Sequence, residues 1–173
     1  METRPKLTPL LVVRDAARAI TFYVRGLGAK EIARYLHPTK KTISHADLAV
    51  SDVAFSVTEE ARERNSDAPP SLGGSPVVLQ PRVADVDAVF KGMCLAGAVV
   101  VFSLQEFVGE RMCRVRDPFG HLWILSQRIQ DLSAEEIRKR RDARKPAKQR
   151  MRPHPPQAIG VSFAPPASAS EDT

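Results

Sequence analysis

Two stretches of the chain start alike and are followed by the same order of elements, and this duplication constrains the fold more than any other feature. Leu11-Val12-Val13-Arg14-Asp15 leads into a helix-like pattern that reaches Gly28-Ala29, thirteen positions after Asp15. Ala84-Asp85 leads into a second such pattern, and Gly97-Ala98 follows twelve positions after Asp85. A strand, a helix, a Gly-Ala turn and further strands, stated twice, predict a module that cannot cover its own apolar face alone and packs against its copy. The run Asp117-Pro118-Phe119-Gly120-His121-Leu122-Trp123 closes the second copy.

Periodicity fills in the two copies. In the first, Thr8 to Val13 predicts a strand, and Ile20, Phe22, Tyr23 and Leu27 predict one helix face that Gly28 terminates. Strands follow over 29–35, 42–50 and 53–58; in the last, Val53, Phe55 and Val57 alternate with Ala54, Ser56 and Thr58, which predicts one packed and one open face. In the second copy, strands are predicted over 77–80, 99–102, 111–116 and 122–127, with a helix over 85–95 carrying Val86, Val89, Phe90 and Met93. The order is βαβββ, twice.

Module one therefore covers about residues 7–58 and module two about 77–129, within a domain of 1–132. Residues 59–76, with Ala68-Pro69-Pro70-Ser71-Leu72-Gly73-Gly74, read as the linker. Ser133 followed by Glu136 is a capping box that predicts a basic helix over 133–145, stopped by Pro146. From 146 to 173, Pro, Ala, Ser and charged residues leave too little apolar surface to offset ordering, so a disordered tail is expected.

Charge divides the chain in the same way. The net charge is +6, but residues 1–137 hold 17 basic and 17 acidic residues, while 138–153 carry a local +8. The basic segment has no interleaved aromatics for stacking on bases, so a solvated helix and tail is expected rather than nucleic-acid binding. No apolar run approaches the roughly 20 residues of a spanning helix, and Met1 to Leu10 lacks the apolar core of a secretory signal. A cytoplasmic protein with two reduced cysteines, Cys94 and Cys113, and no membrane partner is the expectation.

Together these residues resemble the vicinal-oxygen-chelate superfamily of glyoxalase I, extradiol dioxygenases and bleomycin-resistance proteins, and within it the PhnB-like branch. The matching stretches are 15–23, Gly28-Ala29, Ser44-His45-Ala46-Asp47-Leu48, 84–88, Gly109-Glu110-Arg111 and 117–123, and 130–136 is similar to the tail many such proteins carry. The resemblance implies an α+β fold in which two tandem βαβββ modules form a curved mixed sheet around a cleft, usually in a homodimer. It also implies metal ligands on the first and fourth strands of each module. Counted from Asp15, Asp85 and Asp117, those positions fall at Thr8, Ser56, Val78 and Ile124.

Val78 and Ile124 offer no lone pair, and isolated hydroxyls are poor ligands for a divalent cation, so no metal and no cofactor is expected. What remains to line a cleft is His45 and Asp47 on one strand face, Ser56, Ile124, Gln80 and Arg82 in parity with Val78, Arg114 alternating with Cys113 and Val115, and Arg111 and Phe107 near the mouth. His45 with Asp47 is the minimum for acid–base work, or a pair that orients a ligand without catalysis; with no nucleophile and no metal, the second is preferred. The arginines favour an anionic or carbonyl-rich guest. Asp117 before Pro118 is read as fixing a turn, His121 as bonding within it, and Trp123 as core. The expected function is metal-independent binding of a small organic molecule; the alternative is a metal-dependent lyase, isomerase or dioxygenase with His45 in a displaced site.

Overall fold

Asp15 and Asp85 open the helices of the two copies in the same way. Each holds extended backbone, and its carboxylate accepts the N–H three residues on, from Arg18 and Ala88, at 2.9 Å. The computed structural model describes residues 7–39 and 42–143. Module one contains β1 (Leu10–Val13), α1 (Ala16–Phe22), β2 (Lys30–Leu36), β3 (Ile43–Val50) and β4 (Val53–Glu59). Then come α2 (Pro69–Leu72), β5 (Val78–Leu79), α3 (Val86–Leu95), β6 (Val99–Phe107), β7 (Glu110–Arg116), β8 (Leu122–Arg128) and α4 (Ala134–Ala143).

The duplication is real in three dimensions. Each module forms a four-stranded mixed sheet, in the orders β1-β4-β3-β2 and β5-β8-β7-β6. In both, the first strand runs parallel to the last and the other pairs are antiparallel. Alternation along the strands divides the faces as expected: Ala46, Leu48, Phe55 and Val57 in one sheet, and Cys113, Val115, Trp123 and Leu125 in the other, are buried in a single core.

The helices meet in that core. Beyond Phe22 the first helix continues through a widened turn, Tyr23–Leu27, and stops at Gly28 in left-handed backbone (φ 72°). That turn packs on α3, where a Cβ on Gly92 would stand 2.7 Å from the Gly26 carbonyl oxygen, so only glycine permits the approach. Tyr23, Phe55 and Trp123 form an aromatic cluster with ring centroids 5.3 to 5.7 Å apart.

Asp117 does more than the turn role read from its sequence context. One carboxylate oxygen accepts the N–H groups of Phe119 and His121 at 2.9 Å, as that reading requires. The other accepts from Tyr23 Oη at 2.7 Å and Trp123 Nε1 at 2.9 Å, tying the turn of module two to the helix of module one. His121 does not bond within its turn through its ring; Nε2 donates to the Val12 carbonyl at 3.0 Å, a second tie between modules.

Two segments differ from the sequence reading in extent. β6 runs on to Phe107 rather than ending at 102, because the turn at Val108 and Gly109 (φ 47° and 79°) folds 105–107 back against β7. The linker is structured: α2 starts with Pro69 and ends at Gly73, Glu60 Oε1 accepts from Ala68 N at 2.9 Å, and Arg14 Nη2 donates to Ser71 Oγ at 2.9 Å. The capping box at α4 is present, with Ser133 N donating to Glu136 Oε2 at 2.8 Å and Glu136 N to Ser133 Oγ at 3.2 Å. The expected tail over 146–173 lies outside the described residues, as do 144 and 145 of the expected basic helix. No helix among the described residues is long and apolar enough to cross a membrane.

Candidate functional site

On β3, Ala46, Leu48 and Val50 face the core, which turns His45 and Asp47 to the opposite face. Asp47 is paired across the sheet with Ser56 of β4. Ser56 Oγ donates to Asp47 Oδ1 at 2.7 Å, and His45 Nε2 lies 2.9 Å from the same oxygen. The Ser56 hydrogen bond, followed by that of His45, holds the Asp47 carboxyl below the usual carboxylate range. Tyr35, opposite His45 in the β2 to β3 register, brings its ring to 6.2 Å from the imidazole. His45, Asp47 and Ser56 therefore form one polar cluster on module one, joined by an aromatic ring the sequence reading did not name.

The equivalent face of module two carries Ile124 and Ser126 of β8, with Met112 and Arg114 of β7 opposite them. Arg82 pairs alongside Ser126 and sends Nη2 to Glu110 Oε1 at 2.8 Å. Gln80, Arg82 and Phe107 line one cavity of about 290 Å³ together with Glu110, Arg128 and Arg141. Arg111 is held elsewhere: Nε and Nη2 make a forked pair, 2.7 Å each, with Asp87 on α3. No hydrogen bond or ion pair among the described residues joins the module-one cluster to these groups.

A larger, mainly apolar cavity of about 560 Å³ opens where β1 and β5 come together, walled by Leu10, Val12, Leu72, Val78 and Leu79 with His121 at its rim. Such a volume suits a small organic molecule. Of the residues read from sequence, Gln80 lines it, and Gln80 also borders the smaller cavity. Its other walls come from the linker and from strand edges, so only the tertiary packing creates it.

The divalent metal implied by the fold does not fit the residues present. Thr8 is exposed ahead of β1, the Ser56 hydroxyl is bonded to Asp47, Ile124 is a hydrocarbon on β8, and Val78 is part of the apolar cavity wall. Among the described residues no three His, Cys, Asp or Glu side chains gather to hold an ion.

Comparison with known proteins accounts for the topology. The family model described as the Glyoxalase/Bleomycin resistance protein/Dioxygenase superfamily matches residues 7–125. The chain belongs to this superfamily. The uncharacterized protein Rv0887c of Mycobacterium tuberculosis is 40% identical over 141 residues, covering 79% of this chain and 82% of its own. The crystal structure of TioX from Micromonospora sp. ML1 is 28% identical with a TM-score of 0.57, covering 75% of this chain and all of that one. The fosfomycin resistance protein FosX from Mesorhizobium loti shares the fold at 12% identity and a TM-score of 0.53, covering 73% of this chain and 93% of that one. The superfamily's paired βαβββ frame is thus present here.

Proposed function

We propose that this chain is a small-molecule-binding member of the glyoxalase and bleomycin-resistance superfamily that selects its guest by shape and hydrogen bonding, without a divalent cation. The observation that carries the reading is Val78. It stands where the family resemblance puts a metal ligand, and it lines the apolar cavity at the β1 and β5 seam. A hydrocarbon there removes a coordination bond and adds apolar surface, which favours a guest with an apolar body.

The polar cluster of His45, Asp47 and Ser56 supports orientation of a ligand rather than chemistry on it, because Asp47 already accepts from both neighbours and the Ser56 hydroxyl donates to that carboxylate rather than to the imidazole. Sequestration or modification of a small organic compound fits this arrangement, in a cytoplasmic, PhnB-like protein. A homodimer fits the exposed apolar residues along β2 and β6, namely Ile32, Tyr35, Leu36, Val99 and Val101.

Titration with Nile red, a neutral apolar dye, tests the reading. Saturable binding that survives chelator and is abolished by Val78→Trp is expected. Binding that requires added Ni, Zn, Mn or Fe would instead favour a metal-dependent lyase, isomerase or dioxygenase.

A further inference from the structure

The face of module two that is turned away from α3 holds two buried polar atoms with no hydrogen-bond partner among the described residues: Arg114 Nε and Ser126 Oγ. Ser126 is completely buried, and its side chain shares a face with Ile124 and Met112. Arg114 pairs with Ile124 and Ser126 with Met112, so Arg114 and Ser126 are diagonal neighbours on that face. Diagonal positions lie about 7–8 Å apart, within reach of a long side chain.

Leaving such groups unpaired costs stability, since a buried donor without a partner forfeits its hydration. Arg114 can only donate, and a serine hydroxyl can donate beside it, so the pair addresses an acceptor. The charge around them decides which kind. Arg82, Arg116 and Arg128 share the face; among the described residues Arg82 is bonded to Glu110 at 2.8 Å and Arg128 lies 3.4 Å from Asp131, which leaves Arg114 and Arg116 in excess. An anion is favoured there, and a cation repelled.

We infer that Arg114 and Ser126 form an oxyanion-binding subsite, and that the guest is an amphipathic organic acid whose charged end lies on this pair. Resting on the small-molecule reading above, this adds the substrate class. Strand register relates the two places. The register of β5 on β8 pairs Val78 with Leu122 and Arg82 with Ser126, which sets Gln80 beside Ile124, between the apolar cavity and the subsite. The apolar body occupies the seam, Gln80 marks the crossing, and the oxyanion meets Arg114.

The test uses the full chain, with benzoate, inorganic phosphate and the neutral benzamide as probes, and the Arg114 Nε–H signal in nitrogen-15 NMR, assigned by its loss in Arg114→Gln. Benzoate or phosphate is expected to move that signal saturably, with benzamide at least about ten-fold weaker, the difference expected of a charge-assisted hydrogen bond. Arg114→Gln weakens benzoate by about ten-fold or more, and Ser126→Ala by a few-fold. A second readout guards against misfolding. Because these atoms have no partner among the described residues, Ser126→Ala is expected to leave Tm unchanged or raise it.

Equal binding of benzamide and benzoate, indifference of either anion to Arg114→Gln, absence of any anion-induced shift, or a Tm loss in Ser126→Ala each overturn the inference. Failure of the binding-protein reading looks different. Nile red then shows no Val78-dependent binding, whatever the anions do.

Discussion

Tyr23 Oη donates to Asp117 Oδ2 at 2.7 Å across 94 positions of sequence, inside a core where Tyr23 is wholly buried and Asp117 is 3% exposed. The bond joins the helix of one module to the closing turn of the other. Burial first, and then the Asp117 carboxylate, push the Tyr23 phenol well above its ordinary range. In alkaline spectrophotometric titration Tyr23 is expected to ionise only as the protein unfolds. Tyr23→Phe should cost about 1–3 kcal/mol, and Asp117→Ala about 4 kcal/mol or more, because the latter strands four donors at once. Chemical denaturation of both variants checks the order.

The crossing of the two helices makes a second prediction with an unusual sign. Helix propensity alone favours alanine over glycine by about 1 kcal/mol inside a helix. At Gly92 the added Cβ would sit 2.7 Å from the Gly26 carbonyl oxygen, which is backbone and cannot swing away. The clash wins, and Gly92→Ala should lower stability by about 1–3 kcal/mol. Gly28→Ala meets nothing within 4 Å and bears only the left-handed backbone at φ 72°, so its loss should be smaller, about 1 kcal/mol. Thermal unfolding of the pair separates packing from backbone strain.

For Asp47 the direction of the pKa shift fixes a pH dependence. Its folded value is lowered, chiefly by Ser56 and then by His45. The resulting stabilisation is fully present above the unfolded aspartate value of about 3.9 and is lost as pH falls through the lower folded value. Ser56→Ala should therefore raise the Asp47 pKa in carbon-detected NMR. It should also narrow the stability gap to the parent protein as pH drops below about 4.

The thiols should differ in reactivity. Burial pushes the Cys113 thiol up to about 11, and Cys113 is wholly enclosed, whereas Cys94 is partly exposed and only raised by its own burial. With a disulfide reagent at pH 8, Cys94 is expected to react first and Cys113 at a rate set by opening of the core. Equal rates would contradict the packing of β7.

Much of the frame was legible because it rests on local chemistry. Asp15 and Asp85 are caps, Gly28 is a stop, Ser133 with Glu136 is a capping box, and strand alternation sorted Cys113, Val115 and Leu125 from Arg114 and Ile124. Long-range relations were not legible. Asp117 carries no local sign that it accepts from Tyr23, and Arg111 gives none that Asp87 takes its guanidinium. For the site, parity put His45 and Asp47 on one strand face, but Ser56 entered only as a counted metal position, and neither its bond to Asp47 nor the cavity at the seam, which depends on how β1, β5 and α2 meet, is contained in any window of sequence. The isolation of Ser126 beneath the sheet face is likewise a property of packing.

The central claim is that Val78 and Ile124 have replaced coordination by apolar contact. Metal analysis by plasma mass spectrometry on extensively dialysed protein, paired with thermal unfolding before and after chelator, tests it most directly. The account predicts no stoichiometric Ni, Zn, Mn or Fe and an unchanged Tm. One such ion retained per chain, with a fall in Tm on its removal, would contradict it.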